Sequence, residues 1–115
     1  MAEPKPGIGV EEFASVDMRV GVVVDVQAFP EARKPAWKVE VDFGPALGRR
    51  WTSAQVTSYS REELLGRRVV GAVNLGTRRI AGFESAFLLL GAVQEDGSVV
   101  LLDVGEDAAP GSPIA

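Results

Sequence analysis

Three arginine pairs stand in the middle of this 115-residue chain: Arg49-Arg50, Arg67-Arg68 and Arg78-Arg79. A guanidinium is planar, always charged, and donates two parallel hydrogen bonds, which suits it to phosphate and carboxylate groups. The setting is acidic, with a formal net charge of −4 and a pI of about 4.8. Taken whole, that argues against nucleic acid, whose binders carry a basic footprint. The distribution alters the argument. All 12 Lys and Arg lie at or before Arg79, where they face 10 acidic residues for a net of +2. Glu84, Glu95, Asp96, Asp103, Glu106 and Asp107 follow with no base among them. Two readings are open: a local basic face on an acidic protein, or solvated strand ends.

The missing residue types exclude other chemistry. There is no Cys and no His. A tetrahedral zinc site therefore lacks its usual ligands. A thiol nucleophile, a neutral-pH imidazole shuttle and a Ser-His-Asp triad are excluded as well. Carboxylate-only catalysis and oxygen-ligated Mg²⁺ remain chemically open, but no motif supports either. The expectation is a non-enzymatic protein without metal or cofactor. Met1 to Gly9 is polar and Pro/Gly-rich, unlike a signal peptide. No run approaches the roughly 20 apolar residues of a transmembrane helix, so cytoplasmic residence without membrane insertion is the expectation.

The elements that must position these groups are mostly strands. Residues 1–9 read as a flexible arm and 10–115 as a single domain. Val10 to Val16 has a short helical pattern, with Phe13 and Val16 on one face and Glu11 and Glu12 in the first turn. The period then changes to two. Met18, Val20, Val22, Val24 and Val26 are expected to share the buried face of a first strand. Phe29 to Pro35 breaks it. Trp37, Val39, Val41 and Phe43 alternate with Lys38, Glu40 and Asp42 in a second, which places Trp37 in the core and Lys38 in a cross-strand ion pair. Arg49 to Ser53 forms a third, with Trp51 left ambiguous. Ser60 and Glu63 have capping-box spacing and open a one-turn helix that Gly66 stops. Further strands are expected at Arg67 to Leu75, Phe87 to Val93 and Ser98 to Asp103, the last two joined at Asp96-Gly97. Glycines inside strands suit the corners of a small barrel. Three strands, a helix, then two strands is the plan of the OB-fold, a five-stranded Greek-key barrel.

Two stretches carry a closer likeness. Phe29-Pro30-Glu31-Ala32-Arg33-Lys34 resembles the His-Pro-x-Ala-x-Lys-Leu segment of the tRNA-binding-domain family. Pro30, Ala32 and Lys34 match, while Phe29 and Pro35 stand in place of His and Leu. Asn74-Leu75-Gly76-Thr77-Arg78-Arg79-Ile80-Ala81-Gly82-Phe83-Glu84-Ser85 resembles that family's Asn-Leu … basic-x-Gly-x-x-Ser segment. Ser53-Ala54-Gln55-Val56-Thr57 matches a third element. Together with Val41-Asp42-Phe43-Gly44, these make the chain look like the CsaA-type secretion-chaperone branch, from about Phe13 to the end. Each motif is short; their order and spacing carry the resemblance.

The resemblance implies an all-β OB-fold domain with short helices, an N-terminal helix and a C-terminal strand extension. It also implies a homodimer built by those extensions. A helix this short is not stable alone and must pack on something, either a second subunit or its own barrel. The implied RNA-binding residues are Arg78, Arg79, Asn74, Ser85, Ser53, Gln55, Arg33 and Lys34. The alternative is that Asn74 and Ser85 satisfy turn backbone and that the arginines bridge to Glu84 or Glu31. The CsaA branch further implies binding of unfolded export precursors and links to the secretion machinery. An apolar groove lined by Phe13, Phe29, Phe83 and Phe87 would serve that role, unless these rings are ordinary core or dimer contacts. Two partners are thus expected, tRNA and export precursors, with a barrel that has exchanged tRNA for peptide as the alternative.

Overall fold

Val39, Val41 and Phe43 are fully buried and Lys38, Glu40 and Asp42 lie on the other side of the strand. This alternation makes β2 (Trp37–Asp42) the middle of the fold. The structure is a computed structural model that describes Ala2–Ala115. Of the predicted arm, Met1 lies outside the described residues, and residues 2–9 are exposed and form no regular element.

β2 pairs antiparallel with β1 (Met18–Ala28) on one side and β3 (Arg49–Ala54) on the other. The far end of β1 pairs with β4 (Arg68–Ala72), and β4 with β7 (Leu88–Leu89). The sheet order β3-β2-β1-β4-β7 bends round until its edges meet. The result is the nearly closed five-stranded barrel expected of an OB-fold. α1 (Val10–Ala14) precedes it, and α2 (Arg61–Leu64) follows β3. Trp37 packs partly buried against the core, its Nε1 donating to the Tyr59 carbonyl at 3.1 Å.

The face predicted for β1 needs correction. A bulge at Val24 lets Val23 pair with Val41 and Asp25 with Glu40. The interior face therefore runs Gly21, Val23, Val26, while Val22 and Val24 are only partly buried. Val20 is buried on the opposite face, paired with Val70. Periodicity counts valines as equal and gives an interior glycine no weight, so the phase change is invisible to it. Gly21 and Gly71 are interior because the Phe43 ring fills the space a side chain would need: a Cβ on Gly71 would stand 2.8 Å from Phe43 Cζ. Phe87 meets Phe43 edge-on, with ring centroids 5.0 Å apart.

Ser60 and Glu63 form the expected capping box. Glu63 N donates to Ser60 Oγ at 3.1 Å and Ser60 N to Glu63 Oε1 at 2.8 Å. The bonds from the Ser60 backbone and hydroxyl hold the Glu63 carboxyl below its ordinary range. A lowered folded pKa means the box is intact above the ordinary carboxylate value and weakens as pH falls through the lowered one. α1 ends two residues earlier than expected and buries none of its side chains.

Later elements depart further. The strand expected from Arg67 to Leu75 stops at Ala72, where Val73 N turns to the Asp17 carbonyl at 2.8 Å. The strand expected from Phe87 to Val93 divides at Leu90, whose N donates to the Val70 carbonyl. Its second half, β8 (Gly91–Val93), pairs with β9 (Val99–Leu101) across the Asp96-Gly97 turn. A hairpin that no periodicity marked, β5 (Arg78–Ile80) and β6 (Phe83–Ser85), projects between β4 and β7. The final residues lie along β1 where β2 has ended. Gly111 N and Ile114 N donate to the Val20 and Met18 carbonyls, and Val20 N to Ser112 O.

The Phe43 packing generates a prediction. Gly71→Ala forces a methyl to within 2.8 Å of Phe43 and 2.9 Å of Phe87. Overpacking of this kind costs about 1–3 kcal/mol. Urea unfolding should show a lower midpoint with an unchanged slope; an unchanged midpoint would mean the two rings move aside freely.

Candidate nucleic-acid interface

One buried hydroxyl holds the site in place. Thr52 on β3 is 1% exposed, and its Oγ1 donates to the Phe87 carbonyl at 2.6 Å. Ser85 Oγ lies 2.7 Å from Thr52 Oγ1 and accepts from Ser53 N at 3.3 Å. With Thr52 donating onward, Ser85 donates to Thr52, and both hydroxyls are satisfied. Ala86 N donates to the Trp51 carbonyl at 2.9 Å beside it. These bonds join β3 to the 85–87 segment. They close the barrel and fix the root of the β5–β6 hairpin.

The hairpin is a tight two-residue turn. Ala81 and Gly82 both have positive φ, 48° and 81°, as such turns require for the strands to follow their natural twist. Arg78, Ile80, Phe83 and Ser85 pair across it on one face, and Arg79 and Glu84 on the other.

A groove of about 1150 Å³ opens beside this hairpin. Arg33 and Lys34 line it from the loop between β1 and β2, and Arg78 from the hairpin. Ser53 and Gln55 line it from the end of β3. No carboxylate is among the lining residues, and Ile80, Leu89 and Val99 supply apolar surface. Five of the eight residues expected to meet RNA thus come together from three separate segments.

The other three do not. Arg79 lies on the far face of the hairpin and donates to the Gly82 carbonyl at 2.9 Å. Asn74 is committed at both ends of its amide, accepting from Asp17 N and donating to the Ser15 carbonyl, each at 2.8 Å. Ser85 is buried in the closure just described. Asn74 and Ser85 hold neighbouring elements together and do not line the groove.

The arginine pairs separate in the same way. Arg50 donates to the Val73 carbonyl and Arg68 to the Ala108 carbonyl, at 2.8 and 3.0 Å. Arg67 pairs with Asp103 at 2.7 Å and lies over the Tyr59 ring. Arg49 is 3.9 Å from Asp42. Of the six, Arg78 alone has no protein partner among the described residues. Arg33 and Lys34 have none either.

The phenylalanines expected to form one peptide groove are dispersed. Phe87 is core, 5% exposed against Phe43, and Phe29 is 4% exposed. Phe83 is partly buried, with its ring centroid 5.4 Å from Phe29 and 6.3 Å from the half-buried Trp51. Only Phe13, on α1, is largely exposed. Lys38 makes no ion pair among the described residues; its Nζ lies over the rings of Phe29 and Phe83. The apolar lining from Ile80, Leu89 and Val99 had no signal in the sequence, because it depends on where the two late hairpins fold back.

Comparison with known proteins places these features. The chain matches the putative tRNA binding domain family over residues 18–113. A methionine–tRNA ligase of Xylella fastidiosa (strain M23) is 36% identical over 110 residues, which is 95% of this chain and 16% of that protein. The chain therefore spans about one sixth of the curated relatives it matches. The structure of a CsaA chaperone protein from Picrophilus torridus aligns with a TM-score of 0.89 at 39% identity, over 95% of this chain and 100% of that one. A chaperone CsaA from Bacillus anthracis aligns with the same score at 41% identity, over 96% and 100%.

Thr52→Val removes the hydroxyl that closes the barrel and leaves Ser85 and the Phe87 carbonyl short of a partner. An unsatisfied buried group costs about 1–3 kcal/mol. Urea denaturation should register that loss, and the Ala86 amide should exchange faster with solvent. Unchanged stability would mean the barrel closes without this bond.

Proposed function

The chain belongs to the putative tRNA binding domain family, and from that premise we propose that it binds tRNA in the groove between Arg33, Lys34 and Arg78, as a non-catalytic homodimer working in the cytoplasm. One observation carries the reading. Three cations from two distant segments converge on one groove, no carboxylate lines it, and none of the three side chains has a partner among the described residues. Unpaired cations held together by a closed fold favour a polyanion. Arg33 and Arg78 offer guanidinium forks to phosphate oxygens, and Lys34 a point charge. Ser53 and Gln55 add neutral hydrogen bonding for sugars and base edges. OB barrels bind oligonucleotides on strands two and three between two framing loops; here Arg33 and Lys34 lie on the loop between β1 and β2, Ser53 on β3 and Arg78 on the hairpin after β4. The wall of Ile80, Leu89 and Val99 suits the face of an unpaired base.

The dimer reading rests on exposed apolar side chains of the two extensions. Val10 and Phe13 on α1 are 83% and 50% exposed, and Val100 on β9 is half exposed. So short a helix needs a surface to pack on, and its side chains do not find one in their own barrel.

Binding of export precursors is a second reading, favoured by the likeness to the two CsaA structures, both covered over their full length. Its peptide surface would be the exposed apolar face of the extensions, since Phe29 and Phe87 are buried. No helix is long and apolar enough to cross a membrane among the described residues.

Two measurements test these readings. Arg78→Ala should weaken tRNA binding about tenfold and lower the slope of log affinity against log salt by about one, whereas Arg79→Ala, off the groove, should change neither. Equal effects would move the site to the outer face of the hairpin. Replacing Val10 and Phe13 together by Glu should leave a folded monomer in sedimentation; a persistent dimer would place the subunit contact elsewhere.

A further inference from the structure

Two walls of the groove are the loop after β1 and the β5–β6 hairpin, and one side chain outside the lining, Lys38, contacts a ring from each. Lys38 projects from β2 on the face opposite Val39 and Val41. Its Nζ lies 4.8 Å from the ring centre of Phe29 and 5.0 Å from that of Phe83. Phe29 is buried at the root of the loop that carries Arg33 and Lys34, and its carbonyl accepts from Ala32 N at 3.2 Å. Phe83 belongs to the hairpin strand paired with the one that carries Arg78. The two rings meet edge-on, and Trp51 supports Phe83 from below. A cation set against two aromatic rings is drawn to both ring quadrupoles, more strongly as water is excluded.

We infer that Lys38 is a positioning residue for tRNA binding: its ammonium, set against both rings of the Phe29–Phe83 pair, strengthens the contact that ties the loop to the hairpin and thereby fixes the distance at which Arg33 and Lys34 stand from Arg78. The inference rests on the groove being the tRNA site. Two features support the positioning role over a phosphate contact. Lys38 does not line the groove. Its two aromatic partners, Phe29 and Phe83, belong one to each wall. Polyanion binding depends on charge spacing, so walls free to part present the same charges at the wrong separation. The walls must then be ordered when ligand binds, and affinity falls by that cost.

The test compares Lys38→Met, which keeps an unbranched apolar stem without the charge, with Lys38→Arg, which returns a cation able to stack. Amide exchange is followed in the free protein. Deacylated tRNA is titrated at several salt concentrations, with Arg78→Ala alongside. The expected result has several parts. Lys38→Met speeds exchange at hairpin amides and weakens tRNA binding by about three- to tenfold. It leaves the salt slope unaltered, and Lys38→Arg restores both affinity and exchange. Unchanged hairpin exchange in Lys38→Met overturns the inference whatever the RNA does. A salt slope lowered by about one in Lys38→Met overturns it too, by making Lys38 a phosphate contact. Undiminished affinity in Lys38→Met, when Arg78→Ala does weaken binding, removes the positioning role and leaves the groove standing. Undiminished affinity in both variants removes the groove reading together with the inference.

Discussion

The hydroxyl of Thr52 is the point on which the fold and the groove both depend. A five-stranded sheet becomes a barrel only if its last strand finds its third, and here the two meet over a short stretch. Trp51 accepts from Ala86, Thr52 donates to Phe87, and Ser85 bridges back to Ser53. Thr52, Ser85 and Phe87 are buried, and their polar groups would be costly to leave unpaired. The same bonds root the β5–β6 hairpin that presents Arg78. Closing the barrel and placing a cation at the groove are one structural event.

Inside the barrel, Phe43 decides how the strands bend. Its ring takes the volume above Gly21 and Gly71 and meets Phe87. Those two glycines belong to neighbouring strands, so the ring fills a gap that no pair of larger residues leaves. The bulge at Val24 follows from the same need. β1 must serve β4 along one half and β2 along the other, and one extra residue turns the strand between them. Interior packing thus sets the strand tilt, and tilt determines which loops face each other across the groove.

The parts legible in the sequence are those where local pattern and tertiary environment agree. β2 alternates cleanly because one face meets the core and the other solvent. Ser60 and Glu63 satisfy each other across three residues without tertiary help, and Asp96-Gly97 turns for local reasons. The short motifs shared with the tRNA-binding domains placed Arg33, Lys34, Ser53, Gln55 and Arg78, and the fold does gather these five. What was illegible depended on distant partners. The phase change in β1 accompanies a bulge between its pairing with β4 and with β2, partners that lie far along the chain. The β5–β6 hairpin has strands of three residues each, too short to display a period. Asn74 and Ser85 are polar residues in a loop-like run, and nothing local says that their partners are Asp17, Ser15, Thr52 and Ser53.

The arginines carry the widest lesson about charge. An acidic pI counts every guanidinium equally, but the fold does not. Arg50 and Arg68 are spent on backbone carbonyls, and Arg67 on Asp103 and Tyr59. Arg67 and Arg68 tie the final third to the barrel, and Arg50 ties β3 to the residue after β4. The ion pair with the exposed Asp103 adds little by itself, yet it draws an acid from the final third onto a structural arginine. The cations left over are few, and the potential a ligand meets is set by where those few stand. Arg33, Lys34 and Arg78 surround one groove whose lining holds no carboxylate. Exposed charges farther away than about a Debye length, roughly 8 Å at physiological salt, are largely screened. The distribution of charge at the groove therefore differs from the overall charge of −4, with three cations and no carboxylate in its lining.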